Sequence, residues 1–156
     1  MIKVNVEVNT KSWHQKIKNP NKYFIKRLKK ISKIIPFFRR KTCTFSILLT
    51  NSFKIKKLNK KFRNKDKPTD VLSFPFFSKE NLKNFKSKKI YIGDIATSYE
   101  IINTRSKKNF FSVEFDKVWI HGLLHLIGYD HIKNKDYKNM LREEDRIYKS
   151  IISKKN

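Results

Sequence analysis

Residues 121–131 read His-Gly-Leu-Leu-His-Leu-Ile-Gly-Tyr-Asp-His, and three of the chain's four histidines fall within them. His121 and His125 stand four apart, so a helix carries both on one face, where they can grip one cation. Gly128 can close that helix in a left-handed cap and turn the chain. The turn can bring His131 back to the same cation as a third ligand. Three imidazoles leave a tetrahedral Zn²⁺ with one open position for water, which distinguishes a catalytic zinc from a structural one. Histidines placed by chance in a core or on a surface would have to match three spacings and the glycine together.

The same spacing occurs in the metzincin peptidases, with one difference. Those enzymes carry glutamate directly after the first histidine, where it acts as general base; this chain has Gly122. Without that carboxylate, peptide hydrolysis lacks its proton acceptor. It would return to contention only if the fold brought Glu100, Glu114 or Glu144 beside the metal. Zinc leads as the cofactor, one ion on three histidines and a water, although nickel, copper and iron also suit imidazole.

Arg63 is the second candidate for chemistry. It is one of seven arginines among 38 basic residues. It closes the segment Leu58-Asn59-Lys60-Lys61-Phe62-Arg63 and precedes a polar loop, Asn64 to Asp70. A guanidinium can hold a phosphate through two parallel hydrogen bonds and stabilise charge in a transition state. Taken singly, Arg63 reads as a solvated helix-end residue, and Asp70 and Ser73 as loop caps. Asp70, Asp94, Asp130 and a substrate phosphate oxygen are candidate proton acceptors, and Asp130 can alternatively orient a histidine ring.

These residues need a scaffold, and 156 residues with a mass of 18.8 kDa suffice for one domain spanning 1–156. The pattern shows no repeat, no long linker and no apolar run near the ~18 residues of a membrane span. One cysteine, Cys43, excludes an internal disulfide. The cytoplasm is the expected location, with no membrane partner. A formal charge of +25 permits a polyanionic partner, nucleic acid foremost. Lys, Asn, Ile and Phe are all abundant, however, and all have A/T-rich codons. A codon bias of that kind would add lysines without any binding role, so the charge permits RNA binding and does not establish it. In the same chain only three glycines remain, Gly93, Gly122 and Gly128, and glycine is retained where the backbone needs it.

Residues 2–8 alternate as a half-buried strand. Asn19-Pro20 starts a helix along Phe24, Leu28, Ile31 and Ile35, which Pro36 stops. Thr42 to Thr50 is an apolar strand, and Ser52 caps a helix through Ile55, Leu58 and Phe62. Val71 to Phe74 is a strand ended by Pro75. Phe76 to Lys88 reads as a surface loop and Lys89 to Ala96 as a strand. Helices follow near 97–106, 114–127 and 137–152. Phe115, Val118, Trp119, Leu123, Leu126 and Ile127 would bury the sides of the metal helix, with Trp13 also in the core. The expected fold is α+β, one small mixed sheet packed with helices.

Together these segments resemble the YbeY-type endoribonucleases, bacterial rRNA maturation factors. The family's HGxLHLxGYDH signature stands as residues 121–131. Its asparagine-to-arginine stretch stands as Leu58 to Arg63, with Phe62 where tyrosine is common. Its PTDVLSFP segment stands as Pro68 to Pro75, and its GDI strand as Ile92-Gly93-Asp94-Ile95. The resemblance runs over roughly residues 40 to 150. Glu143-Glu144-Asp145 matches an acidic helix of the family, and a solvated face is the expectation for it. The resemblance implies a metal on His121, His125 and His131 and a functionally important arginine at Arg63. It also implies single-strand-specific RNA cleavage in 16S rRNA 3′-end maturation, ribosome assembly and quality control. The partners implied are rRNA and the ribosome or its proteins, with no DNA. The rivals are a metal-stabilised assembly factor without turnover and a metallopeptidase-like hydrolase.

Overall fold

The computed structural model describes residues 1–152; residues 153–156 of the expected 1–156 domain lie outside them. Strand β1 (Ile2–Val8) turns Ile2, Val4, Val6 and Val8 inward and Lys3, Asn5 and Glu7 outward, as its alternation requires. Helices α1 (Ser12–Lys16), α2 (Pro20–Ile34) and α3 (Pro36–Arg40) lead to β2 (Thr42–Thr50). Then come α4 (Ser52–Arg63), β3 (Val71–Pro75), α5 (Lys79–Asn84) and β4 (Lys89–Ser98). Helix α6 (Tyr99–Arg105), a 3₁₀ turn at 106–108, α7 (Phe111–Leu126) and α8 (Asn134–Ile152) complete the order.

The four strands form one mixed sheet in the order β1-β2-β4-β3. β1 and β4 run parallel to β2, and β3 runs antiparallel to β4. Successive residues of a strand face opposite ways, which gives two apolar clusters. Phe45, Ile47, Leu49 and Ile95 join Trp13, Phe24, Phe115 and Trp119 in the main core under α2 and α7. Leu72 and Ala96 meet Ile55 of α4 in the smaller one. The residues expected on the flanks of the metal helix are buried, apart from the half-buried Ile127.

Several boundaries differ from the sequence expectation, each for a local reason. Asn51, not Ser52, caps α4: its Oδ1 accepts from the Lys54 N–H at 2.9 Å. Ser52 opens the helix, and its N–H and hydroxyl donate to Glu100. Pro36 does not simply end a helix. α2 closes at Ile34, and Pro36 then starts α3 as a first-turn proline. The expected loop 76–88 contains α5, capped by Ser78 and anchored by the buried Leu82. One apolar residue in six leaves little periodicity to read.

Two features hold α7 in place. Asp116 of α7 is buried, yet it accepts from Tyr23 Oη at 2.6 Å, Arg27 Nε at 2.6 Å and Trp119 Nε1 at 2.8 Å. Those donors and the Arg27 charge compensate the desolvated carboxylate and tie α7 to α2. Gly93 is the second feature. It lies at an irregularity in the β2–β4 register and opposite Pro75 of β3. Its φ is +131°, and a Cβ there would stand 2.2 Å from the Phe74 carbonyl oxygen. Gly93→Ala must therefore strain the backbone and push β3 off β4. The expected cost is about 3 kcal/mol, a fall in Tm on the order of 10 °C. Thermal unfolding followed by circular dichroism measures it; an unchanged Tm would refute this role.

Candidate metal centre and its cleft

Helix α7 carries His121 and His125 one turn apart, and their Nε2 atoms lie 3.1 Å from each other. The helix closes as the glycine foretold. Gly128 takes φ +88°, its N–H donates to the His125 carbonyl at 3.0 Å, and the Tyr129 N–H donates to Leu124 at 3.0 Å. This paired pattern is the Schellman closure that glycine favours. It reverses the chain so that His131 joins the pair. One ligand atom from each histidine lies within 4.8 Å of the others.

The hydrogen bonds behind the rings set which nitrogens face inward. His125 Nδ1 lies 3.0 Å from the Tyr129 carbonyl, which only accepts, so the proton sits on Nδ1. His121 Nδ1 lies 2.7 Å from Glu144 Oε1, and a carboxylate likewise accepts a hydrogen bond from Nδ1–H. In the neutral rings both Nε2 atoms then present lone pairs to each other. A shared cation turns that repulsion into coordination, and at Zn–N distances near 2.0–2.1 Å tetrahedral ligand atoms stand about 3.3 Å apart. The donor set thus fits a divalent metal with a preference for imidazole. Burial, then the neighbouring His121, lowers the pKa of His125 below its ordinary 6.5, so its lone pair is available at neutral pH.

Arg63 reaches the same cleft from another element. It ends α4, where Asn64 takes the left-handed conformation at φ 54°. Asn59 is buried, and its amide donates to the Lys67 carbonyl at 2.8 Å. That bond anchors the loop that follows Arg63. The cleft, about 410 Å³, is lined by Arg63, Ser73, Pro75, His121, His125, Asp130, His131 and Ile132 among others. No carboxylate pairs with Arg63 among the described residues, whereas Arg27, Arg105 and Arg146 each have one. The guanidinium is free for an anion from outside.

The family model described as Endoribonuclease YbeY matches residues 5–152. The chain belongs to the YbeY family. It is 49% identical to the endoribonuclease YbeY of Pelagibacter ubique over 99% of both chains. It is 37% identical to the endoribonuclease YbeY of Buchnera aphidicola, over 97% of this chain and 94% of that one. A Thermotoga maritima protein solved in solution shares the fold, with a TM-score of 0.62 at 27% identity. That match covers 97% of this chain and 89% of the other.

Within this YbeY fold the candidate proton acceptors separate. Asp70 pairs with Arg105 and accepts from the Val71 N–H at 2.9 Å, so it serves the start of β3. Asp94 accepts from Tyr91 Oη at 2.6 Å and lines a different groove, with Glu7 and Phe62. Asp130 alone of the three lines the histidine cleft. Its Oδ1 accepts from the His131 backbone N–H at 2.7 Å, so it braces the turn rather than a ring. None of the three glutamates takes the peptidase position. Glu100 accepts from Ser52, Glu114 from Asn109 and Lys117, and Glu144 from His121 at the nitrogen turned away from the cluster. A Cβ on Gly122 would meet Ser73 Oγ at 3.0 Å and Ile95 at 3.3 Å. That position faces the sheet and leaves no room for a catalytic glutamate.

Glu144 corrects the expectation of a solvated face at 143–145. Glu143 and Asp145 do form outer ion pairs with Arg146 and Lys149, but Glu144 turns onto His121. Only its place on a helix facing α7 could have revealed this. A carboxylate behind an imidazole fixes the ring and raises its basicity. For a metal held by His121, Glu144→Ala is expected to weaken binding about 10- to 100-fold, with zinc as the test ion. Glu144→Gln, which keeps an acceptor and loses the charge, should fall between. Competition against a chromophoric chelator reads both; equal Kd values for all three proteins would remove Glu144 from the site.

Proposed function

We propose that this protein is a zinc-dependent endoribonuclease specific for single-stranded RNA. Its family makes it an RNA-cleaving hydrolase. The observation that carries the finer reading is one cleft with three converging histidines on one wall and an unpaired arginine on another. His121, His125 and His131 would hold the ion. Zinc bound there would supply a Lewis acid and a water activated near neutral pH. Arg63 would hold the scissile or neighbouring phosphate through its two parallel N–H groups and offset the charge that builds on it. Of the candidate carboxylates, Asp130 would be the one within the cleft to accept a proton. The surrounding lysines would follow the RNA backbone, with marked salt dependence.

The proposed setting is the cytoplasm, with 16S rRNA as substrate at its 3′ end and the ribosome or its proteins as partners. The chain 1–156 would act as one domain. No helix among the described residues is long and apolar enough to cross a membrane.

The test is cleavage of a single-stranded RNA carrying the 16S 3′-end junction, beside the same RNA annealed to its complement. Metal-loaded protein should cut the free strand and spare the duplex. EDTA should abolish cleavage and zinc should restore it. Binding without turnover by folded, zinc-loaded protein would establish the assembly-factor reading instead.

A further inference from the structure

The cleft at the metal does not end there. Pro75, His125 and Asp130 also line an adjoining depression with Phe76 and Lys79. Lys79, Gly128 and Asp130 line a third depression, whose far wall carries Arg40 and Lys83. The three share lining residues around the turn after α7, so they adjoin in series as a groove from the depression lined by Arg63 to the one lined by Arg40 and Lys83.

Phe76 lines the middle depression together with His125 and is 66% exposed. Its neighbour Phe77 turns inward against Phe85, ring centres 4.9 Å apart. Phe76 stays out but is held. Its ring meets Phe77 edge-to-face at 5.0 Å and Tyr91 at 5.9 Å, and its N–H donates to the Ile92 carbonyl at 3.0 Å. A fixed, exposed aromatic ring in a groove is what an unpaired base stacks on. Arg40, Lys79 and Lys83 are exposed, and none forms an ion pair with a carboxylate among the described residues. Asp130 and Asp136 are the acids along the groove, and Asp130 already accepts from His131.

We infer that one RNA strand runs the length of this groove, with Phe76 stacking the base beside the cleaved phosphodiester. Arg40, Lys79 and Lys83 hold phosphates on that side of the metal. This rests on the endoribonuclease reading and gives its single-strand preference a cause. A base locked in a duplex cannot turn its face to Phe76.

The experiment uses the full-length, zinc-loaded chain as wild type, Phe76→Ala, Phe76→Trp and Phe53→Ala. Phe53 is the control: it is 67% exposed, Lys57 lies over its ring, and it lines none of the three depressions. Binding is read by the anisotropy of a labelled 2′-O-methyl oligonucleotide, and cleavage with the matching RNA. Phe76→Ala should raise Kd and KM about 5- to 100-fold, more than it lowers kcat. Phe76→Trp should stay near wild type, and Phe53→Ala should match it. RNAs with a single abasic position, scanned along the strand, supply the decisive comparison. Wild type should lose the same factor at one position next to the cut, and Phe76→Ala should lose nothing there. Lys79→Ala and Lys83→Ala should each lower the salt slope of binding by about 0.7. If wild type cleaves while Phe76→Ala binds equally well and both scans are flat, this path is wrong and the nuclease reading stands. If wild type neither binds nor cleaves single-stranded RNA, both readings fall together.

Discussion

On the proposed zinc reading, replacing His125 by alanine is expected to abolish metal binding and RNA cleavage together. His125 is the central member of the cluster: its Nε2 faces His121 at 3.1 Å, and its ring centre lies 5.0 Å from that of His131. Structural zinc sites with four ligands contribute about 10–16 kcal/mol, so one ligand is worth on the order of 3 kcal/mol, roughly two decades in Kd. The loss of activity should be larger, at least about a thousandfold, because an ion left on two histidines is also misplaced. Metal analysis after gel filtration should find zinc on wild type and little on the variant. Zinc should raise the Tm of the metal-free wild type and leave that of the variant unmoved, because only a ligand that binds the folded state stabilises it. Circular dichroism guards against simple misfolding. Stoichiometric zinc and full cleavage in folded His125→Ala would place the metal elsewhere.

Arg63→Ala should separate chemistry from metal. The side chain is exposed and has no ion-pair partner among the described residues, so its removal should shift Tm by about 2 °C or less. Zinc content should match wild type. Cleavage should fall about 10²- to 10³-fold, the scale of losing one group that stabilises transition-state charge. Arg63→Lys keeps the charge but not the planar pair of donors, so it should recover only part of the rate. Cleavage of single-stranded RNA under single-turnover conditions reads this directly. A variant that keeps its full rate would make Arg63 the solvated helix end that its position alone suggests.

What the sequence determined about this protein lies wherever local spacing decides geometry. Histidines four apart on a helix must share a face, and a glycine just past the helix end can reverse the chain at no steric cost. Residues 121–131 therefore announced the cluster and the turn, and Gly122 announced the missing peptidase glutamate. Local patterning likewise announced all four strands and helices α2, α4, α6, α7 and α8. The short helices α1, α3 and α5 were not legible, because their docking against the core, rather than a repeating pattern, supports them. Tertiary structure alone decided the rest. Glu144 stands 23 residues from His121 and reaches it only because α8 folds back on α7. Asp70 was drawn to Arg105, Asp94 to Tyr91, and Asp130 to the turn. No spacing encodes those choices, since each depends on which partner the packed strands and helices bring within reach. Arg63 carried no local mark of a site. It lines the histidine cleft because Asn59 anchors the loop after it and β3 lies between α4 and α7.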